Sequence, residues 1–85
     1  MNDTNLLEET IRMTLLPYPE GLQDYKVENY VVATIGRRGD PVEMDAYDSA
    51  LASLFKKRII DRTKVPGAGY AFGQKVEESG YKLLR

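Results

Sequence analysis

The sequence contains no cysteine, no histidine and no tryptophan. Without cysteine there is neither a disulfide framework nor a thiolate metal site to supplement the core, which fits a reducing compartment. Without histidine the commonest general base is missing, and with both absent so are the usual zinc ligands and the commonest thiol nucleophile. An enzyme is therefore not expected, and neither a cofactor nor a metal is. Asp40, Glu43, Asp45 and Asp48 do not match a calcium loop, which alternates oxygen ligands around a central glycine. Long apolar runs are lacking too. The start, Met1-Asn2-Asp3-Thr4, is acidic rather than basic, so neither a signal peptide nor a membrane span is expected. The expectation is a cytoplasmic protein with no membrane partner and no small-molecule substrate. A formal net charge of only −1 argues against a generic polyanion binder.

What is present suits one domain spanning residues 1–85, with 42% hydrophobic and 29% charged residues, an ordinary globular balance. The charge, however, is divided along the chain. Residues 1–48 carry four basic and ten acidic side chains, and residues 49–85 carry eight basic and three acidic ones. Such a division predicts a polarised surface, with the C-terminal half the candidate for meeting anything negative.

Residues 5–16 place Leu6, Leu7, Ile11, Leu15 and Leu16 near helical spacing. Asp3, Thr4 or Asn5 can cap this helix, and Glu8 and Glu9 suit its positive end. Pro17-Tyr18-Pro19-Glu20-Gly21 stops it. In residues 24–35, Val27, Tyr30, Val31, Thr34 and Ile35 keep helical spacing, while the run from Tyr30 to Ile35 is rich in β-formers. The helical reading is preferred because the period spans three turns and ends at Gly36. Asp40-Pro41-Val42-Glu43 has a capping-box pattern, with proline at the first helical position. Tyr47, Ala50, Leu51, Leu54, Phe55 and Arg58 then carry a third helix to about Lys57. Between the second and third helices stand only Gly36-Arg37-Arg38-Gly39, a turn tight enough for a helix-turn-helix. Residues 59–65 and 70–72 read as strands joined by Pro66-Gly67-Ala68-Gly69. A short closing helix over residues 74–84 would dock Val76, Leu83 and Leu84, with Gly80 allowing close approach.

The run from Asp48 through Leu51, Leu54, Phe55, Lys56-Lys57-Arg58-Ile59-Ile60-Asp61-Arg62, then Tyr70-Ala71-Phe72, then Glu78-Ser79-Gly80-Tyr81-Lys82-Leu83-Leu84, resembles the winged helix-turn-helix superfamily. The resemblance covers about residues 24–84 and is one of element order and apolar positions. It implies an α+β fold of three helices, a C-terminal β-hairpin wing and the short closing helix. The small strand usual in that superfamily between the first two helices is not evident. Most members bind duplex DNA with the third helix in the major groove and the wing against the backbone, and a minority bind proteins.

The densest basic cluster, Lys56, Lys57, Arg58, Arg62 and Lys64, would meet phosphates from the end of the third helix and the root of the wing. Arg37 and Arg38 would support it. These residues make a small DNA-binding regulator of transcription the first expectation. Reading a palindromic site would require a homodimer. Against DNA stand Glu43, Asp45 and Asp48 near the start of the third helix, which phosphates would repel. They suit a helix N-terminus equally well. With Tyr18 they define the alternative: a protein-binding adaptor or inhibitor, of cellular, phage or plasmid origin. The glycine-rich stretch from Gly67 to Gly73 lacks the P-loop lysine and the dinucleotide spacing and reads as a hairpin turn. Tyr47, Phe55, Tyr70 and Phe72 fall at core or hairpin positions rather than on a base-stacking surface.

Overall fold

The computed structural model describes residues 4–39, 41–71 and 73–84, with 68–71 and 75 described by backbone alone. Among these the chain forms α1 (Thr4–Leu15), β1 (Leu22–Gln23), α2 (Asp24–Gly36), α3 (Met44–Lys56), β2 (Ile60–Ala71) and β3 (Gln74–Leu83). The result is an α+β fold of three helices and an antiparallel three-stranded sheet in the order β1-β3-β2. No helix among the described residues is long and apolar enough to cross a membrane.

The helices follow their apolar spacing. Leu7, Ile11 and Leu15 of α1 and Val27, Val31 and Ile35 of α2 recur every fourth residue, and all six are buried. That spacing puts each trio along one helical face. With Tyr47, Ala50, Leu51 and Leu54 of α3, and Leu22, Ile60 and Tyr81 of the sheet, they form one core. Removing each leucine, isoleucine or valine side chain among them from water stabilises the fold by about 1.5–3 kcal/mol. Of the expected stripes, Leu16 falls beyond α1 and is exposed, as are Tyr30 and Thr34 on α2. The competition over residues 24–35 is resolved as helix. Gly36 is its last residue, and Arg37 is the cap.

Four expectations are corrected. The capping-box start of the third helix does not form: α3 begins at Met44, with Glu43 as an extended N-cap that makes no side-chain capping bond. Val42, in the extended approach, packs against the core instead. Asp40 lies outside the described residues. The small strand between the first two helices does exist, as β1, with Leu22 opposite Tyr81 and Gln23 opposite Gly80. Two residues are too few for any periodicity to register in a sequence.

The third correction concerns the wing-like hairpin. Pro66-Gly67-Ala68-Gly69 is not its turn but the middle of β2. The register shifts there, so that Gly67, Ala68 and Gly69 stand opposite the single residue Val76, a bulge in the longer strand. The reversal comes later, at Gly73, whose φ of +77° favours glycine. Phe72 lies outside the described residues.

Fourth, the closing helix over residues 74–84 is instead β3, the central strand, paired with β1 on one edge and β2 on the other. Lysine and glutamate in this stretch are good helix formers, but the ladder to two neighbours overrides that weak preference. Gly80 does allow close approach, to a strand rather than a helix. A Cβ there would overlap the carbonyl oxygen of Leu22 and lie 2.9 Å from its carbonyl carbon.

Candidate recognition surfaces

The basic residues singled out from the sequence fall into separate places. Lys56 ends α3, Lys57 caps it, and Arg58 follows with φ +57°. The Arg58 N–H donates to the Phe55 carbonyl and the Ile59 N–H to that of Leu54, both at 3.0 Å. This is a Schellman closure with arginine where glycine is usual. Lys57 has a structural partner: its Nζ lies 3.0 Å from Glu8 Oε1 on α1, which also accepts from Ser53 Oγ at 2.9 Å. Burial alone would raise the Glu8 pKa. The hydrogen bonds from Lys57 and Ser53 and the lysine charge outweigh it, and the net shift is downward.

Arg62 and Lys64 lie two residues apart on β2, hence on one side of the strand, and both are exposed. The Arg62 guanidinium carbon sits 5.2 Å from the Phe55 ring centroid and 5.9 Å from that of Tyr81. The two rings meet edge-on at 5.6 Å. Lys64 stands opposite Ser79, and with Arg62 and Thr63 these residues line a shallow groove. Arg37 and Arg38 belong to a different one, of about 460 Å³ between α1 and α2, walled by Met13, Tyr18 and Tyr30. The seven basic residues therefore do not line one groove.

The alternative set is divided as well. Glu43 caps α3, Asp45 is exposed in its first turn, and Asp48 is exposed one turn further on. Tyr18 lies in the groove with Arg37 and Arg38, away from the cleft that Asp48 lines. The structure instead gathers around Asp48 several residues that the sequence did not single out.

These residues form a cleft of about 260 Å³ between the start of α2, the middle of α3 and the end of β3, lined by Asp24, Tyr25, Glu28, Tyr47, Asp48, Leu51 and Tyr81. Asp24 and Glu28 are four apart on α2 and so share a face, as do Tyr47 and Leu51 on α3. Tyr81 reaches the cleft because the register of β3 sets it opposite Leu22 and Arg62, beside the core. Tyr25 spans the cleft edge: its hydroxyl donates to Glu78 Oε2 of β3 at 3.1 Å, while its N–H donates to Asp24 Oδ1 at 2.6 Å.

Tyr47 is the unusual member. It is 97% buried, since only 3% of its surface is exposed, and its hydroxyl meets no hydrogen-bond partner among the described residues. Burial, first, and then Tyr81, Glu28, Asp48 and Asp24 push its phenol pKa far up. Tyr47 lines the cleft together with these four groups. Tyr81 is raised too, by burial foremost, against the opposing charge of Arg62, and by the same three carboxylates.

No family model matches the chain, and no curated protein does. What the cleft can do rests on its chemistry. It is lined by three carboxylates, which only accept hydrogen bonds when ionised, and by Tyr47, whose buried phenol can accept or donate and has no partner among the described residues. Among the described residues no group of acidic side chains is arranged to hold a metal ion. A like-charged pair four apart on a helix is mildly destabilising, so Asp24 and Glu28 were a signal available in the sequence. Tyr25 and Tyr81 carried none.

Proposed function

We propose that this chain is a winged helix-turn-helix binding module whose partner is a protein, engaged through the acidic face of α2, α3 and β3. The element order, helix, short strand, two helices and a hairpin, with β3 between β1 and β2, supports the winged-helix reading. The observation that carries the choice of partner is the convergence of Asp24, Glu28 and Asp48 on one cleft beside the exposed side of α3. In the winged-helix arrangement α3 is the element that would enter a DNA groove. Two like charges 4 Å apart near a protein surface repel by about 4 kcal/mol, and a duplex presents a phosphate every ~1.7 Å of its axis. The same carboxylates attract a basic surface on a protein. Asp45, exposed in the first turn of α3, extends the negative face.

A second reading, a regulator binding duplex DNA, is favoured by one observation: Lys56, Arg58, Arg62 and Lys64 are all exposed, on the end of α3 and on β2. The two readings separate in solution. Generic duplex DNA titrated at low salt, followed through backbone amide NMR signals, moves residues 56–64 if DNA is the partner, and the shifts fade as salt rises. Under the protein reading those signals stay still. Capture of a partner protein is then abolished by Asp45→Lys with Asp48→Lys. Capture that survives both reversals refutes the protein reading.

A further inference from the structure

We propose that the cleft between α2, α3 and β3 is a receptor for one guanidinium group, presented by an arginine side chain of the partner. The proposal rests on the protein-binding reading and specifies what that face receives. Asp24, Glu28 and Asp48 line the cleft with three carboxylates, against which Arg62 sets one positive charge at the Tyr81 edge. The carboxylates alone would be a solvated acidic surface. The buried Tyr47 hydroxyl is what separates this cleft from such a surface. A buried polar group without a partner is costly, and natural proteins rarely keep one without a use. Here it belongs to a side chain that lines the cleft beside the three carboxylates.

The donor that fits must bring positive charge and several N–H groups. A guanidinium has five donors in a planar fork and no acceptor, matching a site whose carboxylates are acceptors only. It is also attracted to aromatic rings, as the Arg62 guanidinium, 5.2 Å from the Phe55 centroid and 5.9 Å from that of Tyr81, already is in this fold. An ammonium is a compact, strongly hydrated point charge without the planar fork of donors. The volume of about 260 Å³ corresponds to several water molecules, each taking ~30 Å³ of the liquid, enough for the guanidinium and the end of its stem.

The test titrates the whole chain at low salt with N-acetylarginine N-methylamide and, separately, with its lysine counterpart, following backbone amide signals. The arginine compound is expected to give saturable shifts confined to residues 24–28, 47–51 and 80–82, and the lysine compound a clearly weaker response. Tyr47→Phe and Asp48→Asn should each weaken arginine binding by about tenfold, the loss of one hydrogen bond to a charged group. Because Tyr47→Phe keeps the ring, a folded variant with normal spectral dispersion is expected. No saturable shifts, an equal response to lysine, or unchanged binding in both variants would overturn the proposal. Failure here with capture still sensitive to Asp45→Lys leaves the acidic face as the partner site and removes only the guanidinium. Arginine binding with capture insensitive to the charge reversals does the opposite.

Discussion

Replacing Tyr47 with phenylalanine should make this protein more stable, which is unusual for truncating a buried core side chain. The ring fills the same volume in both residues, so the packing of Tyr47 with its core neighbours is retained. What disappears is a hydroxyl buried without a partner among the described residues. Leaving such a group unpaired costs about 1–3 kcal/mol, so its removal should return about 1 kcal/mol once lost dispersion contacts are deducted. In a domain of 85 residues that raises the melting temperature by roughly 4–8 °C. Urea and thermal unfolding followed by far-ultraviolet circular dichroism measure it. A second signature lies at alkaline pH. The folded phenol titrates above its ordinary value of 10.0, whereas the unfolded phenol does not. Ionisation above pH ~10 therefore favours the unfolded chain, and stability falls as pH rises through that value. Tyr47→Phe removes the share belonging to Tyr47, flattening the alkaline slope, while Tyr81, also raised, keeps the remainder. A variant less stable than the parent at neutral pH, with an unchanged alkaline slope, would refute the reasoning. It would mean that the hydroxyl has a partner after all. The combination of greater stability with weaker arginine binding would mark a residue kept for recognition at the expense of the fold.

Three further outcomes follow from other contacts. Gly80→Ala should destabilise by about 1–3 kcal/mol, because the new methyl meets the Leu22 backbone across the β1–β3 pair; Gly36→Ala, where nothing lies within 4 Å, should instead gain up to ~1 kcal/mol, and equal effects in denaturant melts would discredit the close approach. Arg58→Gly should stabilise by about 1 kcal/mol by relieving a left-handed non-glycine residue at the end of α3, and a lower urea midpoint would contradict this. Glu8→Gln should cost about 1–2 kcal/mol at neutral pH, discounted for the exposure of Lys57. Since the folded carboxyl of Glu8 titrates below its unfolded value, its contribution is present above the unfolded pKa and is lost as pH falls through the folded one. The variant should therefore lose less stability than the parent between neutral and acid pH.

The helices were legible because each carries a row of apolar residues every third or fourth position, and burial of that row decides the local structure. Leu7, Ile11 and Leu15 mark α1 without reference to anything else. The strand β3 was not legible. Its ten residues, Gln74–Leu83, mix helix-forming lysine and glutamate with scattered apolar side chains, and only pairing with β1 and β2 makes them a strand. The glycines of residues 67–69 mislead for a related reason: glycine permits a turn or a bulge equally, and the partner strand chooses between them.

The candidate site divides in the same way. Asp48 was visible as an acidic residue on the outer side of α3, and Tyr47 as part of that helix's inner row. That they share a cleft with Asp24, Glu28 and Tyr81 could not be read from order along the chain, because those residues lie on two other elements. The basic residues Lys56, Lys57, Arg58, Arg62 and Lys64, close together in sequence, turn out to serve different ends, with Lys57 held to Glu8 and the Arg62 guanidinium near two rings.

The sequence by itself determined the lack of cysteine and histidine chemistry, the three helices and the division of charge, since these depend on composition and on local period alone. The tertiary structure decided the central strand, the true turn of the hairpin and the acidic cleft with its buried phenol. Each of those depends on which distant segments are brought together, and no local preference encodes that.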